Sequence, residues 1–213
     1  MQFTVWDVLR NLLLATRWTV LLSAMAFVTG GAAGLLLLAV RLEGGRIGQR
    51  CARLYIEVFQ GTPLLMQLFL VYFGLPLTGL DVSPWVAALL GLTLAASAYL
   101  AEIWRGCVQA VPPGQAEAAA ALGLHRLRQA QLVILPQALR IAIAPTVGFL
   151  VQLVKSTALT SVIGFDELLK TANAINNATF APFMVYGFVA LIYFGLCYPM
   201  TWASRVLEHR LAR

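Results

Sequence analysis

The sequence predicts an all-α membrane protein with five transmembrane helices. Of its 213 residues, 60% are hydrophobic and 11% are charged, whereas charged residues make up about 25% of an ordinary soluble domain. The mean hydropathy of +0.81 indicates the same class. A helix needs about 20 mostly apolar residues to cross a bilayer. Five stretches meet this requirement, at approximately residues 18–40, 54–75, 85–103, 133–154 and 182–206.

The first two predicted spans contain residues that suggest how they pack. Gly30, Gly31 and Gly34 give span one a face of small residues, which favours close packing against another helix. Span two carries Glu57 near its start, and Pro63 interrupts it because proline removes a backbone donor.

The last three spans differ in how often they are interrupted. Span three is uninterrupted until Glu102, whereas span four is broken by Pro136, Arg140 and Pro145. Span five follows Pro182. An odd number of spans places the two termini on opposite sides of the membrane.

The distribution of arginine and lysine orients the spans, because cytoplasmic loops carry an excess of these residues. Eleven cations fall on one side: Arg41, Arg46, Arg50, Arg53, Arg105, Arg126, Arg128, Arg140, Arg205, Arg210 and Arg213. Four fall on the other: Arg10, Arg17, Lys155 and Lys170. The first set belongs inside, which places the N-terminus outside and the C-terminus in the cytoplasm. The net charge of +6 therefore reflects topology and lipid headgroups rather than nucleic acid binding.

Residues 112–136 form the longest polar interval in the chain, between spans three and four. The segment reads PPGQAEAAAALGLHRLRQAQLVILP. Pro113 is placed to begin a short exposed helix, Glu117 near the first turn suits the positive end of the helix dipole, and Gly123 is placed to end the helix in a left-handed cap. The alanines between them offer a smooth face with little side-chain entropy to lose. We expect another protein to pack closely on this cytoplasmic helix.

This segment resembles the cytoplasmic EAA loop of the membrane permease subunits of bacterial binding-protein-dependent ABC importers. The family pattern is E-A-A, three residues, G, nine residues, I, one residue, L-P. The residues in register with it are Glu117, Ala118, Ala119, Gly123, Leu135 and Pro136. Val133 stands at the isoleucine position, which is a mild departure.

The resemblance extends over most of the chain and is closest to the polar amino-acid uptake branch of these permeases. Four strings in the expected order carry it: YIEVFQGTPLLMQLFLVYFGLP, AYLAEIWRGCVQAV, LPQALR and KSTALTSVIGFDEL. A lone EAA triplet would mean little in an alanine-rich protein, but four strings at the right spacing make a chance resemblance improbable.

The resemblance implies a set of partners in the bacterial inner membrane. Two permease subunits, identical or related, would pair, and each loop helix would dock on a cytoplasmic ABC ATPase dimer. ATP and Mg would bind that ATPase, because this chain has no G-x-x-x-x-G-K-[ST] loop, and the chain itself would not be an enzyme. A periplasmic or lipid-anchored binding protein would deliver the amino acid. The candidate ATPase-coupling residues are Gly114, Glu117, Ala118, Ala119, Gly123, His125 and Arg126.

Polar residues within or beside spans are candidates for the translocation pathway, because a charge in the bilayer is costly and tends to face a cavity or a partner. The candidates are Glu57, Gln60, Thr62, Lys155, Ser156 and Thr157. The first three lie where span two begins and the last three follow span four. In similar permeases these two regions contribute to the pathway. Where the family commonly reads K-D-T-S-L, residues 155–159 of this chain read K-S-T-A-L. Ser156 therefore replaces the acid, which argues against a strongly cation-selective pocket. Two roles remain open for Lys155: contact with a substrate carboxylate, or pairing with a neighbouring acid.

Two further regions have candidate roles. Glu102 and Arg105 have the i, i+3 spacing of a helix-end ion pair, and the matched family string makes a gating or loop-anchoring role a rival reading. The loop at residues 163–182 predicts a partly helical polar surface that, by resemblance, receives the binding protein. Its polar residues are Asp166, Glu167, Asn173, Asn176 and Asn177.

Other functional classes match the sequence less well. An intramembrane hydrolase needs a nucleophile with a base, yet the only histidines are His125 and His209, in the loop and the tail. The three cysteines are far apart in apolar runs, so neither a metal site nor a disulfide is predicted. An ion-coupled secondary amino-acid transporter or a channel subunit stays open as the alternative. Uptake that requires ATP and a second, ATPase chain would distinguish the importer from it.

Overall fold

The computed structural model describes residues 4–211, and none of them forms a β-strand. Arg213, one of the cations assigned to the cytoplasm, lies outside the described residues, and the side chains of His209 and Arg210 are also outside the description. The α-helices are α1 (Val5–Glu43), α2 (Arg46–Gly61), α3 (Leu64–Phe69), α4 (Pro84–Gln109), α5 (Pro113–Ala121), α6 (Arg126–Gln129), α7 (Leu135–Ser156), α8 (Leu168–Thr179) and α9 (Pro182–Leu211).

Short π-helical and 3₁₀ segments extend several of these helices. A π turn at Leu70–Gly74 and a 3₁₀ turn at Leu75–Thr78 follow α3. A π turn at Ala130–Ile134 joins α6 to α7, and a 3₁₀ segment at Thr157–Ile163 follows α7. Within residues 4–211, four helical stretches are long and apolar enough to cross a membrane, or five if the bent α2–α3 pair counts as one.

The predicted second span is not one straight helix. The chain bends by 105° between α2 and α3, and Thr62 at the break is extended, with φ −114° and ψ 143°. Pro63 causes the break, because it has no backbone N–H and it disfavours the helical conformation of the residue before it.

The predicted fourth span is more regular than its prolines indicate. Pro136 lies in the first turn of α7 and Pro145 lies inside the helix, yet α7 continues for 22 residues through both of them and through Arg140. Proline is tolerated in a first turn because the missing N–H would have no partner there. The irregular part is the π turn at Ala130–Ile134, before the first proline.

α1 packs closely against α4 at the centre of the bundle. A Cβ placed on Gly30 would lie 2.5 Å from the Cβ of Ala96, and one on Gly34 would lie 3.1 Å from the carbonyl oxygen of Ser97. The structure therefore confirms the small-residue face for these two glycines. Gly31 is turned aside, since its nearest neighbour would be Trp104 at 3.7 Å.

Candidate functional site

The short helix α5 has the bounds that the sequence predicts. Pro112 precedes it and Pro113 lies in its first turn. Gly123 follows with a left-handed φ of +78°, and its N–H donates to the carbonyl oxygen of Ala120 over 2.9 Å. Glu117 is the fifth residue of the helix and lies directly after the first turn, which contains no acidic residue. Glu117 therefore has a weaker interaction with the helix dipole than expected.

The two alanines of the EAA sequence differ in exposure. Ala119 is buried, with 3% exposure, so its side chain packs within the chain rather than against a partner. Ala118 and Glu117 are exposed. The other candidate residues of the loop, Gly114, His125 and Arg126, are exposed as well.

The exposed surface of the loop includes a leucine that the sequence analysis missed. Leu122, at the end of α5, is 82% exposed. Its side chain is therefore available for contact with a partner that docks on α5. Its position directly before the predicted cap glycine was the available signal.

Glutamine side chains connect α5 to the start of α7. Gln137 Nε2 lies 3.4 Å from Gln115 Oε1 of α5 and donates to the carbonyl oxygen of Val133 over 2.8 Å. Gln129 Nε2 donates to the carbonyl oxygen of Leu124. α5 is therefore in side-chain contact with the first turn of α7, whose 22 residues span about 33 Å.

Gln67 stabilises the break between α2 and α3. Its Nε2 donates to the carbonyl oxygen of Phe59 at 2.8 Å, the carbonyl oxygen of Thr62 at 3.1 Å and Thr62 Oγ1 at 2.9 Å. The last carbonyls of a helix have no partner within it, and this one side chain satisfies two of them. Gln67 was not among the predicted pathway residues, although a lone glutamine in the apolar run after Pro63 was a signal.

A cavity of about 230 Å³ lies beside this break, between α4 and α7. Its polar lining residues are Thr62, Gln67, Tyr99, Gln152 and Ser156. The Oε1 atom of Gln67 is buried and has no hydrogen-bond partner among the described residues. A buried acceptor without a donor is costly, so this atom has an unused capacity to accept a hydrogen bond.

The cavity brings together only part of the predicted pathway. Thr62 and Ser156 line it, whereas Glu57 and Gln60 are exposed and are not among its lining residues. Thr157 is fully buried and donates to the carbonyl oxygen of Val154 over 2.7 Å. Its hydroxyl is therefore used in a hydrogen bond within the helix, and the residue does not line the cavity.

Lys155 lies at an adjoining recess. It lines an open space of about 400 Å³ together with Ser156 and Gln152, and its side chain is exposed. No ion pair of Lys155 occurs within the part of the chain that the structure describes. Pairing with a neighbouring acid therefore receives no support here.

Glu102 and Arg105 form the predicted pair, and a third residue joins them. Arg105 Nε donates to Glu102 Oε2 over 2.9 Å, and Arg41 Nη2 of α1 lies 3.7 Å from the same oxygen. Arg105 also donates to Gln109. Partly exposed ion pairs contribute about 0–1 kcal/mol each, so the cluster matters more for the relative position of α1 and α4 than for stability. Arg41 was predicted only as one of the cytoplasmic cations, not as a partner of Glu102.

Glu167 is not part of an exposed polar surface. Its side chain is fully buried, and it caps the N-terminus of α8 by accepting the Lys170 N–H at 2.9 Å. The predicted helical character of this region is confirmed by α8, while the expected exposure of Glu167 was wrong because α1 and α9 cover it. Asp166 beside it is exposed and pairs with Lys170 Nζ at 2.8 Å.

We predict that Glu167 makes stability depend on pH. Burial raises the pKa of Glu167 from its ordinary 4.5 to about 7, so the folded protein keeps the proton at a higher pH than the unfolded chain does. The stability from this group is fully present below about pH 4.5 and is lost as the pH rises through about 7. The shift corresponds to about 3 kcal/mol.

Thermal unfolding of the detergent-purified protein as a function of pH would measure this effect. We expect a Glu167→Gln variant to have a flatter profile between these pH values, because an amide does not ionise. An Asp81→Asn variant, at an exposed acid, should keep the profile of the original protein. Equal profiles for the original and Glu167→Gln proteins would contradict the prediction.

Comparison with known proteins identifies the family. Residues 26–213 match the family model described as binding-protein-dependent transport system inner membrane component. The chain belongs to this family. The permease is 36% identical to the probable amino-acid ABC transporter permease protein YckA of Bacillus subtilis over 92% of this chain and 86% of that protein. It is 33% identical to the glutamine transport system permease protein GlnP of Escherichia coli over 99% of both chains.

Solved structures agree with the family assignment. A chain from the crystal structure of an amino acid ABC transporter with histidines superimposes with a TM-score of 0.92 and 32% identity, over 99% of the permease and 100% of that chain. A chain of the MetNI methionine ABC transporter has a TM-score of 0.69 at 21% identity, over 98% of the permease and 94% of that chain. The second likeness concerns the fold alone.

Family membership decides between the open functional classes. The permease is a multi-pass inner membrane subunit of an ABC transporter, in which a separate partner chain hydrolyses ATP. The ion-coupled alternative is therefore not supported. Among the described residues, no group of histidine, cysteine and acidic side chains could hold a metal ion.

Proposed function

We propose that the permease forms, as one of two subunits, the pathway of an ATP-driven importer for polar amino acids. The observation that carries the proposal is the cavity at the helix break, in which Thr62, Gln67 and Ser156 supply polar groups within apolar helices. The substrate class is supported by the relatives, since YckA is named an amino-acid permease and GlnP a glutamine permease.

The chemistry of the cavity fits a zwitterion or a neutral polar side chain. The free Oε1 of Gln67 accepts hydrogen bonds and so suits an ammonium or amide group. Lys155, at the adjoining recess next to Ser156, suits a carboxylate. No acidic residue is among those that line either space, so the cavity has no fixed partner for a cationic side chain.

Coupling to the ATPase takes place through the exposed side of α5. With the N-terminus outside, α5 is cytoplasmic, and Glu117, Ala118 and Leu122 form the surface that docks in the ATPase dimer. Gly114, His125 and Arg126 flank that surface. Ala119 packs α5 against the rest of the chain, and Gly123 ends the helix. Closure of the ATPase on ATP and Mg displaces α5, and the contact between Gln115 and Gln137 passes the displacement to α7, which ends at Ser156.

The remaining partners contact the other surfaces of the permease. A periplasmic or lipid-anchored binding protein docks on the opposite side, at residues 163–182, where Asp166 and Asn177 are exposed. The cluster of Arg41, Glu102 and Arg105 anchors the helix ends next to the coupling loop. Lipid covers the exposed apolar faces of the long helices.

Substitutions at Lys155 and Ser156 test the assignment of the cavity. In a Ser156→Asp variant we expect affinity for L-arginine to rise about tenfold relative to L-glutamine, which corresponds to about 1.4 kcal/mol, because the new carboxylate pairs with a cationic side chain. In Lys155→Met we expect weaker binding of both amino acids. Equilibrium binding to the detergent-purified permease–ATPase complex measures this without the selectivity of the binding protein.

The matched control is Ser161→Asp, at a serine that does not line the cavity. It should leave the ratio of affinities unchanged. Unchanged ratios in Ser156→Asp as well, together with normal binding in Lys155→Met, would contradict the cavity assignment. Import by the reconstituted transporter that needs no ATP would contradict the proposed function itself.

A further inference from the structure

The carboxylate of Glu167 connects three helices at the end of α7 that lies away from α5. Thr19 Oγ1 of α1 and Tyr193 OH of α9 each donate to Glu167 Oε2 over 3.4 Å, and the N–H of Lys170 in α8 donates to Oε1. Thr19 Oγ1 also accepts the N–H of Leu168 over 3.2 Å. One fully buried side chain therefore contacts α1, α8 and α9, beside the apolar cluster in which the same three helices pack.

Among the side chains that the structure describes, no cation forms an ion pair with this carboxylate. The nearest lysine along the chain, Lys170, directs its Nζ to Asp166 and to the carbonyl oxygen of Gly164. A buried acid without a cation is costly, and the pKa of Glu167 is raised accordingly. A helix N-cap alone needs no buried acid, since serine, threonine or asparagine provides the same bond at the surface.

Glu167 also lies close along the chain to the predicted pathway. The 3₁₀ segment Thr157–Ile163 begins directly after Ser156 and ends at Gly164, which has a left-handed φ of +90°. Ile163 and Phe165 then pack in the same core cluster as Leu68, one residue after Gln67. The segment that follows Ser156 is therefore held at its far end by this core cluster, directly before Asp166 and Glu167.

Building on the proposed import function, we infer that Glu167 is a positioning residue for transport, which holds α1, α8 and α9 together as the fixed support of the segment that follows Ser156. A displacement that enters α7 from α5 then moves Ser156 relative to this support. Without the carboxylate, α8 moves with the segment and part of the displacement is lost before it changes the cavity.

Coupling of transport to ATP hydrolysis is measured by the number of amino acids imported per ATP hydrolysed. The complete transporter, reconstituted in proteoliposomes with its ATPase and binding protein, is supplied with a mixture of radiolabelled L-amino acids. In Glu167→Ala we expect this ratio to fall about tenfold, because the bonds to Thr19, Tyr193 and the Lys170 N–H are lost together, while ATP hydrolysis continues. Glu167→Gln, which preserves the shape and can still bond Thr19 and Tyr193, should restore the ratio to within about twofold.

Two partner variants and one control complete the design. Thr19→Val and Tyr193→Phe should each lower the ratio by less than Glu167→Ala does. Neither should lower it further in the Glu167→Ala background, because the group they bond is already absent. Asp81→Ala, at an exposed acid in the loop before α4, should leave the ratio unchanged.

Several results would overturn the inference: an unchanged ratio in Glu167→Ala, a ratio in Glu167→Gln as low as in Glu167→Ala, or additive losses in the double variants. If Glu167→Ala does not assemble, unchanged ratios in both Thr19→Val and Tyr193→Phe overturn it. Failure of the original transporter to import any labelled amino acid with ATP would instead refute the proposed function on which the inference rests.

Discussion

A Gly123→Val variant is expected to lose ATP-driven uptake by at least about tenfold while it still inserts into the membrane. Gly123 has a φ of +78°, and a β-branched residue in that conformation costs about 1–3 kcal/mol. The bonds that depend on this turn are those from Gly123 N–H to the Ala120 carbonyl and from Leu124 N–H to the Ala119 carbonyl. The end of α5 would reorient and Leu122 would leave its position on the docking surface.

The test compares variants at the same site. Gly123→Asn should retain most of the uptake, because asparagine tolerates the left-handed conformation. Membrane insertion is followed by the amount of permease in purified membranes, and docking by co-purification of the ATPase. Glu117→Lys should abolish uptake without any change of backbone, through reversal of an exposed charge. Normal uptake in both Gly123→Val and Glu117→Lys would remove α5 from its proposed role.

A Gly30→Ala variant is expected to lose about 1–3 kcal/mol of stability, which is the usual cost of overpacking. The added Cβ would lie 2.5 Å from the Cβ of Ala96 and 3.2 Å from the carbonyl oxygen of Thr93. Neither neighbour can rotate away, because one is a Cβ and the other is backbone. α1 and α4 must therefore move apart along their central contact.

The adjacent glycine is the control. Gly31→Ala introduces a Cβ no closer than 3.7 Å to Trp104, so it should leave stability unchanged or raise it slightly, because alanine favours a helix over glycine by about 1 kcal/mol. Thermal unfolding of the two purified variants measures the difference. Equal stability of the two variants would show that α1 and α4 do not pack at the distance described here.

The parts of the site that follow from local chemistry were predictable. Pro113 and Gly123 mark the two ends of α5, and Pro63 marks the break between α2 and α3, because each of these residues restricts or permits backbone angles within its own turn. The predicted breaks at Pro136 and Pro145 were wrong. Pro136 lies in the first turn of α7, and Pro145 is tolerated within a long helix that neighbouring helices support.

The composition of the cavity was only half predictable. Thr62 and Ser156 line it, but Glu57 and Gln60 do not. Glu57 and Gln60 lie in α2 near the cavity in sequence, but the face of α2 that meets the cavity depends on how α2 leaves α1 and approaches α4. Gln67 was overlooked because its three hydrogen bonds exist only after the chain has bent back at Pro63.

The sequence by itself determined the membrane class, the position and ends of α5, the helix break and the family resemblance, all of which depend on composition, local backbone chemistry or a motif with fixed spacing. Only the tertiary structure decided that Glu167 is buried, that Arg41 meets Glu102, and that Gln67 and Ser156 share one cavity. These facts depend on residues far apart in the chain, such as Thr19 and Glu167 at a separation of 148 positions. Helix periodicity limits which residues share a face, but the packing of the helices selects the face that is covered.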